Sequence, residues 1–457
     1  MASTPSAISR RRALKSAGAA ALGGGASALL GGGTLAAQGG APAILTNTQA
    51  GRRFKAFVKH SNDLPTVLDL TVRGITGRQM VIRTEAAQTC YTSVDQVLIP
   101  GTRTAQATIV GHGGVGIVEA IGPQVLSARV GDRVIVNLHA ACGRCFSCLH
   151  MRSDKCRNGA AANPMATCTM ADGTPVFSAT SGMAELMIVM EEYATPLFTE
   201  VPADQISMLT CVGGCGLGMT MTNCPVDVAS DVVIFGAGPV GLSAVMGAKV
   251  KGASKIIVVE PIAYRRALAL KLGATDVVDP NQYRDRQRIP DAVGNRDHYR
   301  DSLVEHLREM TKMKTDRLWA GAGRVGPDHV IEAVGGDRIK PKEVQGPDPT
   351  GVTALNQCWE LESAVGTLVT CSVGHPDGAM VQIPASQWAD GPKHHWGGTG
   401  GGTNDRRDSS RHVRLMETGQ IDMKAIVGKT YPLSQAREAY QVAADRTLIS
   451  TVVTPNT

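Results

Sequence analysis

The chain has 457 residues, 43% apolar and 19% charged, enough for a sizeable core spread over two or three domains. Its formal charge of +6 is concentrated at one end: Arg10, Arg11, Arg12 and Lys15 are the only charged side chains before position 44, and taking those four from 46 leaves 42 basic residues against 40 acidic ones. That balance excludes an electrostatic binder of nucleic acid or of anionic membrane, and eleven cysteines over this length are too few for a disulfide scaffold.

Residues 9–15 read SRRRALK, and a weakly apolar stretch rich in Ala and Gly follows to about residue 37. This fits the twin-arginine export pattern, with small residues at Thr34/Ala36 and Ala41/Ala43 as candidate cleavage sites. Residues 1–43 are therefore read as an export segment, the mature chain is expected in the periplasm, and the export machinery is its first expected partner. No run of 18 strongly apolar residues occurs elsewhere, so no transmembrane span is expected.

The alternating stretch MVIRTEAAQ predicts a strand that ends at TCYTS, where Cys90 and Thr92 lie. VGHGGVG places His112 between glycines, and CVGGCGLG carries Cys215 just before the nucleotide-binding half. Between them, CGRCFSCLHMRSDKC sets Cys142, Cys145, Cys148 and Cys156 at a spacing that lets four thiolates converge on one ion. Four thiolates at about 2.3 Å make a closed tetrahedral zinc site, which leaves no open position and is structural. A catalytic zinc needs three ligands and an open position; Cys90, His112 and Cys215 are the candidates.

Asp231–Phe235 (DVVIF) is a continuous apolar run of the kind found in buried parallel strands. GAGPVG follows, then a helical pattern, then the strand Lys255–Val259 ending on Glu260. This is the context in which a glycine loop binds a dinucleotide: Gly236 makes the turn, Gly238 and Val240 border the pyrophosphate path, Gly241 lets helix and strand pack closely, and the helix N-terminus attracts the phosphates. Glu260 is placed to accept hydrogen bonds from the ribose hydroxyls and repels a 2′-phosphate, which favours NAD; Arg265 nearby weakens that preference. Residues 281–300 and 337–352 are charged or Pro/Lys-rich additions near strand ends. His394-His395-Trp396 and the GGTGGG after them read as a flexible, solvated loop, with a substrate loop or an oligomer edge as the alternative.

Together these segments resemble the zinc-containing medium-chain alcohol dehydrogenase family, in the family's order, from about Phe54 to Val453. The resemblance implies an α/β fold: a Rossmann doubly wound parallel sheet inserted into a GroES-like β-rich catalytic domain. The expected division is 44–216 for the first part of the catalytic domain, 217–393 for the Rossmann domain and 394–457 for the closing segment. It also implies two zinc ions per chain, one catalytic and one structural, with NAD as cofactor. Thr92 would be the proton-relay hydroxyl, and Val373-Gly374-His375 the segment touching the nicotinamide. A small alcohol or aldehyde is the implied substrate and a homodimer or homotetramer the implied assembly.

Two residues depart from the pattern: Gly113 and Ser93 stand where relatives carry acids around the zinc. The ACGRCFSC phrase and the two additions are similar to the formaldehyde dehydrogenase and dismutase branch, which includes members holding NAD permanently. An export signal joined to an NAD fold points the same way, because a protein exported folded can carry its cofactor with it. Two alternatives stay open on the sequence: a non-catalytic protein of this fold, and a zinc-free reductase using NAD(P).

Overall fold

The computed structural model describes residues 49–457 apart from 76, 158–165, 179, 224, 285, 291–296, 313–325, 344–345, 363–365, 384–387 and 389–393. The expected export segment lies outside these residues. Among the described residues no helix is long and apolar enough to cross a membrane.

The first part of the chain is β-rich because its apolar residues alternate or run in short blocks bounded by glycine turns. Five strands close a barrel in the order Arg53–Lys59, Thr66–Val72, Ala166–Thr169, Pro175–Phe177, Thr108–Ile109. A second sheet is centred on Gln79–Gln88, which pairs antiparallel with Gly114–Ile121, Leu186–Met190 and Thr451–Thr454. The last of these pairings puts Val453 opposite Ala87 and Val452 opposite Gln88. The C-terminal strand thus completes the first domain, as the interrupted-domain architecture requires.

The inserted domain is a six-stranded parallel sheet in the order Asp276–Val278, Lys255–Val259, Asp231–Phe235, His329–Glu332, Thr367–Thr370, His394–Gly397. All five residues of DVVIF are buried, since helices cover both faces of such a sheet. The last strand lies in what the sequence assigned to the closing segment, so the Rossmann sheet runs beyond residue 393, to Gly397. Its side chains are all exposed, and an edge strand paired on one side only leaves no hydrophobic pattern to read.

The GGTGGG expectation is also corrected. Gly400, Gly401 and Gly402 are buried and form a tight turn with φ of +79°, +58° and +75°. Within the 281–300 addition, Arg286–Pro290 and Asp297–Asp301 pair as an antiparallel hairpin.

A close helix contact joins the two domains. The helix Val212–Gly218 is buried along its whole length and packs on the helix Pro239–Val250 that follows the glycine loop. A Cβ placed on Gly216 would stand 2.2 Å from the Val240 carbonyl oxygen, so only glycine allows this approach. The core is continuous here: Cys90, Cys215, Leu217, Val232, Ile234 and Leu242 belong to one buried cluster. Because the 2.2 Å contact is with backbone, Gly216→Ala must push the helices apart. It is expected to cost about 1–3 kcal/mol and to weaken nucleotide binding; a thermal melt unchanged from the parent would contradict this account.

Candidate metal and cofactor site

The strand Gln79–Gln88 delivers Cys90 to the domain junction. Thr89 locks that end in place, its backbone N–H donating to the Thr451 carbonyl at 2.9 Å and its hydroxyl lying 2.7 Å from that of Thr451. His112 arrives between two left-handed glycines just before the strand Gly114–Ile121. Cys211 is the residue preceding the helix Val212–Gly218, and Cys215 lies one turn in, its N–H donating to the Cys211 carbonyl at 2.7 Å.

The donor atoms of Cys90, His112 and Cys211 all lie within 4.8 Å of one another. The Sγ atoms of Cys90 and Cys211 are 4.0 Å apart. Cys215, the third donor expected from the sequence, is outside this compact set. Its thiol neighbours Cys211 on one side and Cys371 on the other. The signal that could have found Cys211 is its i,i+4 spacing from Cys215, which lets the Cys211 carbonyl accept from the Cys215 N–H at the start of the helix. Cys371, also unforeseen, follows the C-terminal end of the parallel strand Thr367–Thr370, where sites in such sheets form.

The set fits a thiophilic metal. His112 Nε2 is buried and has no hydrogen-bond partner, a costly state that coordination relieves. The hydrogen bond from Cys211 holds the Cys90 thiol well below its ordinary pKa against the opposing effect of burial, with His112 adding to the effect. Cys215 is likewise pulled well below by Cys211 and then Cys371. Burial opposes charge on His112, but Cys90 and then Cys215 raise its pKa.

The two missing acids have structural counterparts. A Cβ at residue 113 would lie 2.4 Å from Thr210 Oγ1, and Gly113 has φ of +74°. Thr210 therefore occupies the space, and no carboxylate fits there. Asp95, the acid nearest in sequence to Ser93, turns away and pairs with Arg338 at 2.9 Å.

Cys142, Cys145, Cys148 and Cys156 do converge, with ligand atoms mutually within 4.8 Å. Sγ separations are 4.0 Å for Cys142–Cys148 and for Cys145–Cys156. Loop amides point at these sulfurs: the N–H groups of Arg157 and Cys148 bring Cys145 down to about 6. Asp154, paired with Arg152 at 2.8 Å and itself buried, stiffens the same loop. None of the described cysteines forms a disulfide.

The thiols open onto a cavity whose wall also carries Thr92, Gly236, Gly238, Val240, Glu260, Arg265 and Val373. Thr92 Oγ1 donates to Cys90 Sγ at 3.2 Å. Gly241 lies beneath, where a Cβ would meet the Gly236 carbonyl oxygen at 1.9 Å. Glu260 is buried and accepts from the backbone N–H groups of Ala237 at 2.7 Å and Ile262 at 2.9 Å, so it shapes the loop it was expected to serve. Arg265 is held by the Tyr264 hydroxyl at 3.2 Å. His375 is not on the wall; its ring nitrogens meet Ser372 Oγ and the Thr350 carbonyl, both at 3.0 Å.

Two family models match the chain: the alcohol dehydrogenase GroES-like domain over residues 76–199 and the zinc-binding dehydrogenase domain over residues 239–342. A probable alcohol dehydrogenase of a Pseudomonas species is 37% identical over 186 residues, which span 38% of this chain and 57% of the relative. The class-3 alcohol dehydrogenase of Cereibacter sphaeroides is 23% identical over 82% of this chain and 92% of its own length. Among solved structures, a zinc-binding-domain alcohol dehydrogenase from Burkholderia ambifaria superposes with a TM-score of 0.71 at 25% identity, covering 89% of this chain and all of the other. Benzyl alcohol dehydrogenase from Acinetobacter calcoaceticus gives 0.70 at 22% identity, over 88% of this chain and 99% of its own.

If the four-cysteine loop is a structural zinc site, Cys148→Ser loses one metal ion per chain and lowers the melting temperature. Elemental analysis of the purified variant checks this, and full metal content would refute it.

Proposed function

We propose that the chain is a zinc-containing medium-chain alcohol dehydrogenase, a reading that its two family-model matches and its similarity to named alcohol dehydrogenases support, and that it interconverts a small alcohol and its aldehyde with NAD as hydride carrier. The observation that carries this reading is the shared cavity: buried thiols, the Thr92 hydroxyl and the glycine loop all line it. Zinc would be held by Cys90, His112 and a thiolate at the start of the helix Val212–Gly218, and when bound supplies a Lewis acid for the substrate oxygen. The nicotinamide supplies the hydride-accepting carbon.

The remaining roles belong to the protein. The closely packed helices hold the thiols beside the mouth of the nucleotide loop, which fixes orientation before reaction. Thr92 is placed to take the proton of a substrate hydroxyl and pass it outward. Glu260, on the cavity wall, disfavours a 2′-phosphate, which supports NAD. Thr92→Val should lower kcat by roughly 10²-fold while zinc content and nucleotide affinity stay unchanged.

The finer proposal is that NAD is retained as a prosthetic group in an exported enzyme and is reoxidised in place by a second aldehyde or by an external acceptor. The twin-arginine pattern supports export. Retention is supported by the 337–352 addition, which straps one domain to the other. Arg338 pairs with Asp95 at 2.9 Å, Lys342 with Asp445 at 2.6 Å, and Asp337 with Arg446. Gly346, Pro347 and Asp348 of the same addition wall the cavity. The exposed edge strand His394–Gly397 supports a homo-oligomer.

Acid release of nucleotide from protein purified without added NAD tests retention. About one NAD(H) per chain is expected, with less in Arg338→Ala because that change unties the strap. A parent protein without nucleotide would reject the prosthetic role. One zinc rather than two would favour the non-catalytic alternative that Gly113 and Ser93 raise.

A further inference from the structure

We propose that Arg338 is a positioning residue for Thr92: it ties the turn carrying this hydroxyl to the segment Val373-Gly374, so that one side chain sets the hydroxyl against the place where the nicotinamide would lie. This rests on the dehydrogenase reading above and adds to it the residue that aligns the two halves of the site.

The turn and the segment belong to different domains. Thr92 stands in the short turn Tyr91–Ser93 that follows the strand Gln79–Gln88. Val373-Gly374 follows the parallel strand Thr367–Thr370. Thr92 and Val373 both line the shared cavity. Arg338 is not on that wall, so whatever it contributes acts through them.

On the nucleotide side, backbone meets backbone. The Gly336 N–H donates to the Val373 carbonyl at 3.0 Å. A Cβ on Gly336 would stand 2.3 Å from the Gly374 carbonyl oxygen, and one on Gly374 would lie 3.1 Å from Arg338 Nε. The guanidinium therefore rests directly on the segment, and residues 335–338 pack with it as one unit.

On the other side, Arg338 grips the turn at three points. Its backbone N–H donates to the Tyr91 hydroxyl at 2.9 Å. Its Nη1 donates to the Thr92 carbonyl at 3.2 Å and to Asp95 Oδ2 at 2.9 Å. These contacts bracket Thr92 from the residue before it, from its own peptide plane and from the helix Val94–Leu98 after it. An ion pair with Asp95 alone would bring charge together without fixing a direction; the bond to the Thr92 carbonyl orients the backbone from which the hydroxyl springs. That hydroxyl donates to Cys90 Sγ at 3.2 Å.

The grip has a cost. Arg338 Nε is buried and has no hydrogen-bond partner, an unfavourable state for a donor on a charged group. The side chain is 26% exposed, yet it keeps Nη1 on two acceptors and leaves Nε unpaired.

The test uses the full chain with saturating NAD, ethanol and benzyl alcohol as probe substrates, and hydrogen exchange read by mass spectrometry. In Arg338→Ala the amides of residues 90–95 are expected to exchange about 10-fold faster, while those of the glycine loop 236–241 stay as in the parent. kcat falls roughly 10-fold with KM for the alcohol and metal content nearly unchanged. Arg338→Lys keeps the charge but not the planar fork, and recovers little of the loss. In a Thr92→Val background Arg338→Ala lowers kcat no further, because the hydroxyl it aligns is gone. A side chain that merely fastens the domains would lower kcat by the same factor in both backgrounds, and that result would overturn the proposal. So would unchanged exchange of residues 90–95 in a folded Arg338→Ala, whatever the turnover. Should Arg338→Ala fail to fold, Tyr91→Phe removes one anchor of the same grip; it is expected to show the same pattern at smaller size, and parental exchange and kcat would count against the proposal. A parent chain that oxidises neither alcohol argues against the dehydrogenase reading, and the exchange result then decides this proposal alone.

Discussion

The approach of two helices at Gly216 is the constraint on which the site depends. One helix carries the thiols and the other begins at the dinucleotide loop. Their axes are brought together because the sequence VGGCGLG offers almost no side-chain volume. Gly247, on the partner helix, repeats the device: a Cβ there would lie 2.1 Å from Thr220 Oγ1. Dispersion between close backbones and a shared apolar core hold the junction. A metal ligand set and a hydride carrier can face one cavity only if that junction is tight, since misplacement by an ångström is costly to a reaction that needs near contact.

The electrostatics around the metal follow from the same crowding. Where the family resemblance implies acids near a zinc, this chain has a left-handed glycine packed against Thr210 and a serine whose neighbouring Asp95 is drawn off to Arg338. Negative charge for a metal held there would then come from sulfur. Thiols are plentiful there: Cys90, Cys211, Cys215 and Cys371 form a contiguous chain through the domain junction. Soft donors suit zinc and disfavour harder cations.

Much of this was legible in the sequence, for identifiable reasons. DVVIF-GAGPVG with KIIVV-E encodes strand, turn, helix and strand by local pattern alone, and the four-cysteine loop encodes its convergence in its spacing. The closeness of Cys211 to Cys90 and His112 was not legible, because it precedes the helix that carries Cys215 and its neighbours come from distant parts of the chain. The role of GGTGGG was hidden for a related reason. A glycine run reads as flexible until something packs against it, and here the partners are Cys215, His139 and Asn223, distant in sequence. His394–Gly397 escaped because an exposed edge strand has no apolar face. The strap of residues 337–352 was visible as an addition, but its ion pairs to Asp95 and Asp445 were not.

The strand Thr451–Thr454 gives the molecule a particular folding history. It pairs with Gln79–Gln88 across some 360 residues, as the 362-residue separation of Thr89 and Thr451 records. Contacts of such long range are slow to form, because the entropy of closing the loop is spent before they repay it. On a ribosome the N-terminal domain cannot finish its sheet until nearly the last residue has emerged, whereas the inserted parallel sheet is complete some sixty residues earlier. The nucleotide-binding half can therefore fold first and serve as the scaffold on which the two ends of the chain meet. Any ligand that binds that half early would shorten the effective loop and hasten closure of the metal site.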